Sequence, residues 1–538
     1  MIKLTNILFV LCFLSTNLLF SQTGSFNWVN KAGGLLLDAS RYVTTDLENN
    51  ICITGEFEQS ATFDTTNLTS QNFDLFVAKY NESGELIWVQ QATSTNDLFS
   101  RSIASDTKNN IYIAGNFLDT LIIGDTVVAG PINLKTAFLA KYDTYGQFLW
   151  VRTAVSNSFA IAYSIAINSN DEIYVDGMFE DSLSIGTNTL IALPSVHSVF
   201  IAKYDDLGNL IGARKISGLD CVHSSFIHID NNDNYYINGL VFDNANFSDT
   251  VIYNVNGLNF IAKYDNNDNF AWVKQSQGDF INSISTDNNN NIYLSGTFYG
   301  TASIENQTLT SNGGSDIFIS KYTPTGSFVW VYQAGSNNDD DCLTMCNTLN
   351  NEFFIGGNFK DTAFFDNDSI VSIGNSDMYI AKFDSSGNFF FAKNFGSINI
   401  DNCSSVAFSN SEKLYATGTF NHTLFWENDS LTGYGNDDIF LAQMSDVLVS
   451  SYLQNNIIDC TIFPNPANNF INIIIHNVNN KAAIQLVDLF GKVISQNEIT
   501  LNSNYTYKQL DVSNLQKGMY ILKISSAKGI ISKKVIIN

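Results

Sequence analysis

The chain has 538 residues, 52 acidic against 27 basic side chains and a net charge of −25, which is longer than one ordinary compact core needs and requires several domains or a repeat array. The charge is uneven: residues 22–460 hold 49 Asp and Glu against 18 Lys and Arg, whereas residues 461–538 hold eight Lys against three acidic residues. The acidic body repels phosphate backbones and anionic lipid, excluding nucleic acid and membrane surfaces as partners and leaving cations and basic surfaces.

At the N-terminus one charge, Lys3, precedes an apolar stretch from Ile7 to Phe20 that is interrupted by Ser15, Thr16 and Asn17 and followed by Ser21 and a polar start. A stretch too short to span a bilayer, ending in a small residue, reads as a cleavable secretory signal over residues 1–21. No later segment has an apolar run of spanning length, so no transmembrane segment is expected in the mature chain.

Beyond it one frame recurs, with Gly at 55, 115, 177, 239, 296, 357 and 418. The glycines sit in β-branched and aromatic runs such as Ile111 to Phe117 and Ile292 to Phe298, which suit a pleated strand. A shorter strand and an Asp/Asn turn, such as Asp106 to Asn110, come before each run; Asp and Asn favour such turns by bonding their own backbone. A third strand follows, as in Phe138-Leu139-Ala140-Lys141-Tyr142. Most repeats then turn through Asp-x-x-Gly, as at Asp143 to Gly146, into a fourth strand reaching Trp88, Trp150, Gly212, Trp272, Trp330 or Phe391.

Those are six fourth strands for seven repeats. Trp28 lies 27 residues before Gly55, the same interval as Trp88 to Gly115 and Trp330 to Gly357. The N-terminal strand is therefore phased as the missing fourth strand of the last repeat. Four-stranded units repeated radially and closed on themselves make a β-propeller, and closure removes the open ends of a linear stack. The expected fold is all-β: a seven-bladed propeller over residues 25–446, closed by its N-terminal strand.

The repeats resemble the bacterial β-propeller repeat family SBBP, whose units carry D-x-x-G-N-x-Y-V-x-G-x-F and D-x-F-V-A-K-Y-D-x-x-G patterns. Where that family has a turn glycine, this chain has Asn or Glu, as at Asn109 and Glu412. The resemblance implies architecture and says little of a ligand.

Antiparallel connectivity puts the short Asp/Asn and Asp-x-x-Gly turns on one face of the ring and the longer segments on the other. Each longer segment holds a hairpin-like piece, such as Leu183 to Gly186, and that face is where ligand contact is expected. Asp38, Asp279, Asp340 and Asp401 each precede their glycine by 17 residues at the entry to the first strand. Such a ring could hold Ca²⁺ through oxygen ligands; the alternative, preferred reading has each Asp bonding local backbone. No other cofactor is expected. The run from Asp230 to Asn234 mimics a calcium loop but has Tyr235 and Val241 where Gly and Glu are required, and reads as a turn. Lys79, Lys141, Lys203, Lys263, Lys321 and Lys382 recur in the third strands, where repetition points to a structural pairing with a turn Asp. Cys342 and Cys403 share a repeat position and are candidates for an inter-repeat disulfide, while Cys221, His223 and His228 are weak metal ligands for want of a fourth. The only arginines are Arg41, Arg101, Arg152 and Arg214, the first two at equivalent repeat positions. None of the five His lies in a hydrolase motif. The expectation is a secreted or cell-surface binding or adhesion module for a protein or glycan, with no catalytic residues; the alternative is a polysaccharide-active hydrolase or lyase using Asp residues of the long-loop face.

After a linker over residues 447–461 the texture changes. Short alternating strands with turn signals over residues 462–538, from Phe470 to Ile473, Ala483 to Val487 and Gly518 to Ile524, predict a small Ig-like β-sandwich. This segment is similar to the type A C-terminal sorting domain of the type IX secretion system of Bacteroidetes, sharing an N-P opening, a D-x-x-G-K turn, an L-D-x-S-x-L strand and a G-x-Y-x-L-K-I strand. The resemblance implies that Pro464, Asn465, Pro466, Asp488, Gly491, Gly518, Lys533 and Lys534 belong to a sorting signal read by that machinery. It also implies export through the periplasm, with release or attachment at the outer cell surface.

Overall fold

The computed structural model describes residues 20–537 except 193–195, 219–225, 243, 248–249, 254–257, 367, 428, 451–458, 464–466, 468, 477–479, 488–491 and 502–504, together with 527–528. Nearly all of the expected signal and the core of the linker, along with Pro464, Asn465, Pro466, Asp488, Gly491, Cys221 and His223, lie outside the described residues. Residues 24–447 form one compact unit and residues 448–538 belong to another.

Among the described residues the first unit is built from seven antiparallel four-stranded groups. In the second group Leu98–Ser105, Ile111–Leu118, Lys135–Tyr142 and Phe148–Ser156 pair in that order. The fourth and fifth groups share one long strand, Phe270–Thr286, whose first part pairs with Leu258–Tyr264 and whose second part pairs with Ile292–Ile304. The first strand of each group packs against the first strands of both neighbours, and the circle closes where Asp38–Thr45 meets Asn402–Phe408. These are the inner strands of a closed propeller.

The recurrent glycine has a steric cause. In six inner strands the register slips by one residue, at Arg41, Arg101, Tyr163, Asn282, Leu343 and Ser404, leaving one extra residue opposite the glycine strand. Each such β-bulge kinks the inner strand toward its partner. A Cβ on Gly55, Gly115, Gly177, Gly296, Gly357 or Gly418 would fall 1.8–2.1 Å from the carbonyl oxygen two residues before the bulge, which no side chain tolerates. The equivalent bulge position of the fourth blade, Ser225, lies outside the described residues.

Closure follows the phase of Trp28. The strand Phe20–Gly33 lies between Asp429–Ser450 of the last blade and the hairpin end of Ile51–Phe63 of the first, with Ala32 opposite Phe63. Phe26 packs in the last blade's core with Phe420, Phe440 and Met444, its ring 5.0 Å from that of Phe395. Asn27 donates to Gln443 Oε1 at 2.7 Å. Trp28 lies under the turn glycine Gly84 of the first blade just as Trp88 lies under Gly146 of the second. At Gly146 a backbone φ of +83° and an indole 2.7 Å from any Cβ both require glycine.

The hairpins on the long-loop face do not form free loops. Each pairs with the outer strand of the preceding blade, as in Ile123 opposite Ala92, Ile185 opposite Ala154 and Phe425 opposite Gly396. They cover strand edges that would otherwise be open. On the opposite face Asn49, Asn109, Asp171, Asp233, Asn290 and Asn351 occupy the left-handed turn position with φ of 58–64°. Each side chain accepts a hydrogen bond from a backbone N–H in the turn of the preceding blade, from Leu47 to Asn109 round to Ser411 to Asn49. The third-strand lysines complete this face, Lys79 Nζ lying 2.8 Å from Asp46 Oδ2 and Lys203 Nζ 2.8 Å from Glu172 Oε2.

In the C-terminal unit a three-stranded and a four-stranded antiparallel sheet enclose a core of Ile471, Ile473, Ile484, Leu486, Leu522 and Ile524. Gly518 and Lys533 of the expected sorting signal are exposed on its strands.

Two outcomes test this account. Gly296→Ala, which places a methyl 1.9 Å from Phe280 O, should cost on the order of 3 kcal/mol, read from the chemical denaturation midpoint; an unchanged midpoint would refute the bulge contact. Deletion of Phe26 to Val29 should raise amide hydrogen exchange around Phe420 and Phe440 above that of the third blade, and equal protection in both would contradict closure by this strand.

Candidate functional site

The bulges decide which side chains face the centre of the ring. Their flanking residues, Ser40, Ser100, Ser102, Ser283 and Thr344, are buried between blades, whereas Arg41, Arg101, Tyr163, Asn282, Leu343 and Ser404 are half-buried. A bulge re-aims a side chain out of the alternating pattern, and here it does so in register around the circle. Donors released by the bulges are satisfied from the neighbouring blade: Glu56 accepts from Ser100 N at 2.9 Å, Thr297 Oγ1 from Cys342 N at 3.3 Å and Asn358 Oδ1 from Cys403 N at 3.0 Å. One residue on, Ser102, Thr344 and Ser405 hydroxyls accept from Ile165, Val406 and Val43 N–H groups, so side chains lace the inner strands together.

Enclosed by these strands is a cavity of about 380 Å³ to which six blades contribute. Five of the six observed bulge residues line it, with Tyr42, Phe99, Phe226 and Asn402 among the others. Among the described residues its charged lining is Arg41, Arg101 and Glu56. Glu56 is buried and bound by Arg41 Nε at 2.8 Å; burial pushes its carboxyl above the usual range against the pull of that guanidinium. Arg41 is 42 % exposed along its side chain, so the cavity opens to solvent. Arg101 Nε is buried with no hydrogen-bond partner, and its guanidinium stands 5.4 Å from the Phe99 ring centroid. A concave wall with aromatic faces and a few placed polar groups is the usual composition of a ligand site.

The four carboxylates expected at the inner-strand entries are buried, each at its own blade junction. Asp38 accepts from Gly34 N at 2.5 Å and Glu58 N at 3.3 Å, and Asp401 from Ser397 N at 2.5 Å and Asn421 N at 3.0 Å. Asp279 accepts from Ser276 Oγ at 2.7 Å. Three of them face a second buried carboxyl from the preceding blade: Asp438 beside Asp38, Asp316 beside Asp340 and Asp377 beside Asp401. Among the described residues no three His, Cys, Asp or Glu side chains converge as a metal cluster. Asp230 closes a turn through Asn232 and Asn234 N–H, as its sequence predicts. His228 is half-buried with a ring nitrogen 2.9 Å from Thr286 Oγ1, and desolvation lowers its pKa to about 4. Cys342 and Cys403 are buried free thiols, so the disulfide that their shared repeat position suggested is not formed; burial pushes them up to about 11 and about 12.

The channel arginines were visible in sequence only as equivalent repeat positions. Their spacing, 14 residues before each glycine, marks the bulge, but period-2 alternation gives no sign of a slip. The carboxylate spacing and the long-loop hairpins therefore give no sign of the cavity.

Residues 461–538 match the secretion system C-terminal sorting domain, and residues 87–116, from the outer strand of the first blade to the glycine strand of the second, match the β-propeller repeat. An uncharacterized WD repeat-containing protein of Acanthamoeba polyphaga mimivirus is 23% identical over 74% of this chain, which spans 36% of that protein's length. Among solved structures the Dos1 propeller aligns over 77% of this chain and 94% of its own at 9% identity and a TM-score of 0.38. A fungal alcohol oxidase in complex with copper aligns over 96% and 99% at 11% identity, also with a TM-score of 0.38. Among the described residues no helix is long and apolar enough to cross a membrane.

The buried carboxyls make stability depend on pH. Burial raises Asp38 and Asp340 to about 7 and Asp279 and Asp401 to about 6. A carboxyl held above its unfolded value is protonated in the fold while the unfolded chain would ionise it, so its contribution is full below about pH 4 and lost as pH rises through 6 to 7. The melting temperature should therefore fall by several degrees between pH 5 and pH 8, and Asp38→Asn with Asp340→Asn should flatten that slope; an unchanged or steeper slope in the double variant would contradict the assignment.

Proposed function

We propose that this β-propeller, which its sorting tail sends through the type IX secretion system to the outside of the cell or its surface, works there as a binding module for a protein or glycan and performs no catalysis. The observation that supports the reading is the central cavity, because six blades contribute to one concave wall that opens to solvent. A stable ring around a preformed cavity suits recognition, since little ordering entropy is lost when ligand enters. The rival reading, a polysaccharide-active hydrolase or lyase, needs paired carboxyl groups facing the ligand. Among the described residues of the cavity lining the carboxylate is Glu56 alone, already engaged by Arg41 and Ser100.

A combined glycan and protein array probed with the exported chain should give a small set of ligands, recovered unchanged after overnight incubation. Shortened glycan products would favour the hydrolase or lyase, and an array without ligands would argue against a binding module.

A further inference from the structure

The channel differs in charge from the body around it. Two of the four arginines in the chain stand on equivalent bulges of adjacent blades and line one cavity, although residues 22–460 carry 49 acidic against 18 basic side chains. Glu56 balances one of them through its 2.8 Å bond to Arg41. Among the described residues Arg101 has no carboxylate within ion-pair distance, its Nε lacks a hydrogen-bond partner, and its guanidinium carbon lies 5.4 Å from the Phe99 ring centroid. Such a rigid, permanently charged fork matches a carboxylate geometrically, and low-dielectric walls strengthen its field inside a cleft.

The rest of the wall narrows the class of anion. Phe99 and Phe226 offer apolar faces of the kind that the C–H face of a sugar ring covers. Asn282 donates its amide nitrogen to Cys342 O at 2.9 Å, which leaves its carbonyl oxygen to accept a hydroxyl, and Ser404 stands on the equivalent bulge two blades further on. A volume of about 380 Å³ is at the lower end of small-molecule sites, roughly 300–1,000 Å³. We propose that the central channel binds a uronic-acid unit, with the carboxylate on Arg101 and ring hydroxyls on Asn282 and its neighbours. This deepens the binding-module reading and rests on it.

Calorimetric titration of the exported chain with galacturonate, glucuronate, galactose, glucose and acetate tests the proposal. Uronates should bind at least ten-fold tighter than the neutral sugars and than acetate, and their affinity should fall as salt is raised. R101Q should weaken uronate binding at least ten-fold and leave neutral-sugar affinity unchanged, while R101K should lose less. Uronates binding no tighter than neutral sugars, acetate binding as well as uronates, or R101Q without effect in a folded variant would each overturn it. The uronate comparison uses the unmutated chain, so it decides the matter even where a variant fails to fold. Array ligands found without preferential uronate binding would overturn this assignment and leave the binding module standing, whereas an array without ligands combined with no uronate binding would overturn both.

Discussion

A carbonyl oxygen resting against a glycine Cα, repeated around the ring, is the contact on which the propeller depends. It permits the inner strand to slip by one residue where alternation would otherwise continue. The slip turns Arg41, Arg101 and Asn282 out of the blade interfaces and into the channel, and it frees backbone donors that the neighbouring blade must satisfy. The repeat glycine is thus a constraint on the ligand cavity as much as on the strand.

Blades are held to one another by side chains more than by sheet hydrogen bonds. The turn Asn and Asp residues accept from the preceding blade's backbone, the hydroxyls beside the bulges accept from the following blade's backbone at the centre, and the hairpins extend the preceding sheet at the rim. Asn at the left-handed turn position therefore does something glycine cannot: it tolerates the positive φ and also supplies the acceptor. Because the same bonds recur at the junction of the last blade with the first, through Ser411 to Asn49 and Val43 to Ser405, closure is made with the contacts used everywhere else.

Charge is sorted by position. Carboxylates gather in the turns and at the blade junctions, where backbone N–H groups, lysines or shared burial accommodate them. Arginines from two adjacent blades are left at the centre. An acidic shell around a channel with surplus positive charge repels anions at long range and retains one at short range, so affinity for an anionic unit would come from contact and desolvation more than from steering.

Periodicity, turn chemistry and the interval from Trp28 to Gly55 were enough to read seven repeats, their four strands and closure by the N-terminal strand, because these depend on local patterns that each repeat states again. The Asp230 turn and the turn Asp partners of Lys79, Lys141, Lys263 and Lys321 were legible for the same reason, whereas Lys203 and Lys382 meet Glu172 and Glu352. The role of the hairpins, the free state of Cys342 and Cys403 and the buried pairing of Asp38 with Asp438 were not, since each joins residues of different blades. By itself the sequence determined the repeat, its phase and the sorting tail. Only the tertiary structure decided that Arg41 and Arg101 share a cavity, because a one-residue bulge leaves no mark on composition or period until neighbouring strands are in register.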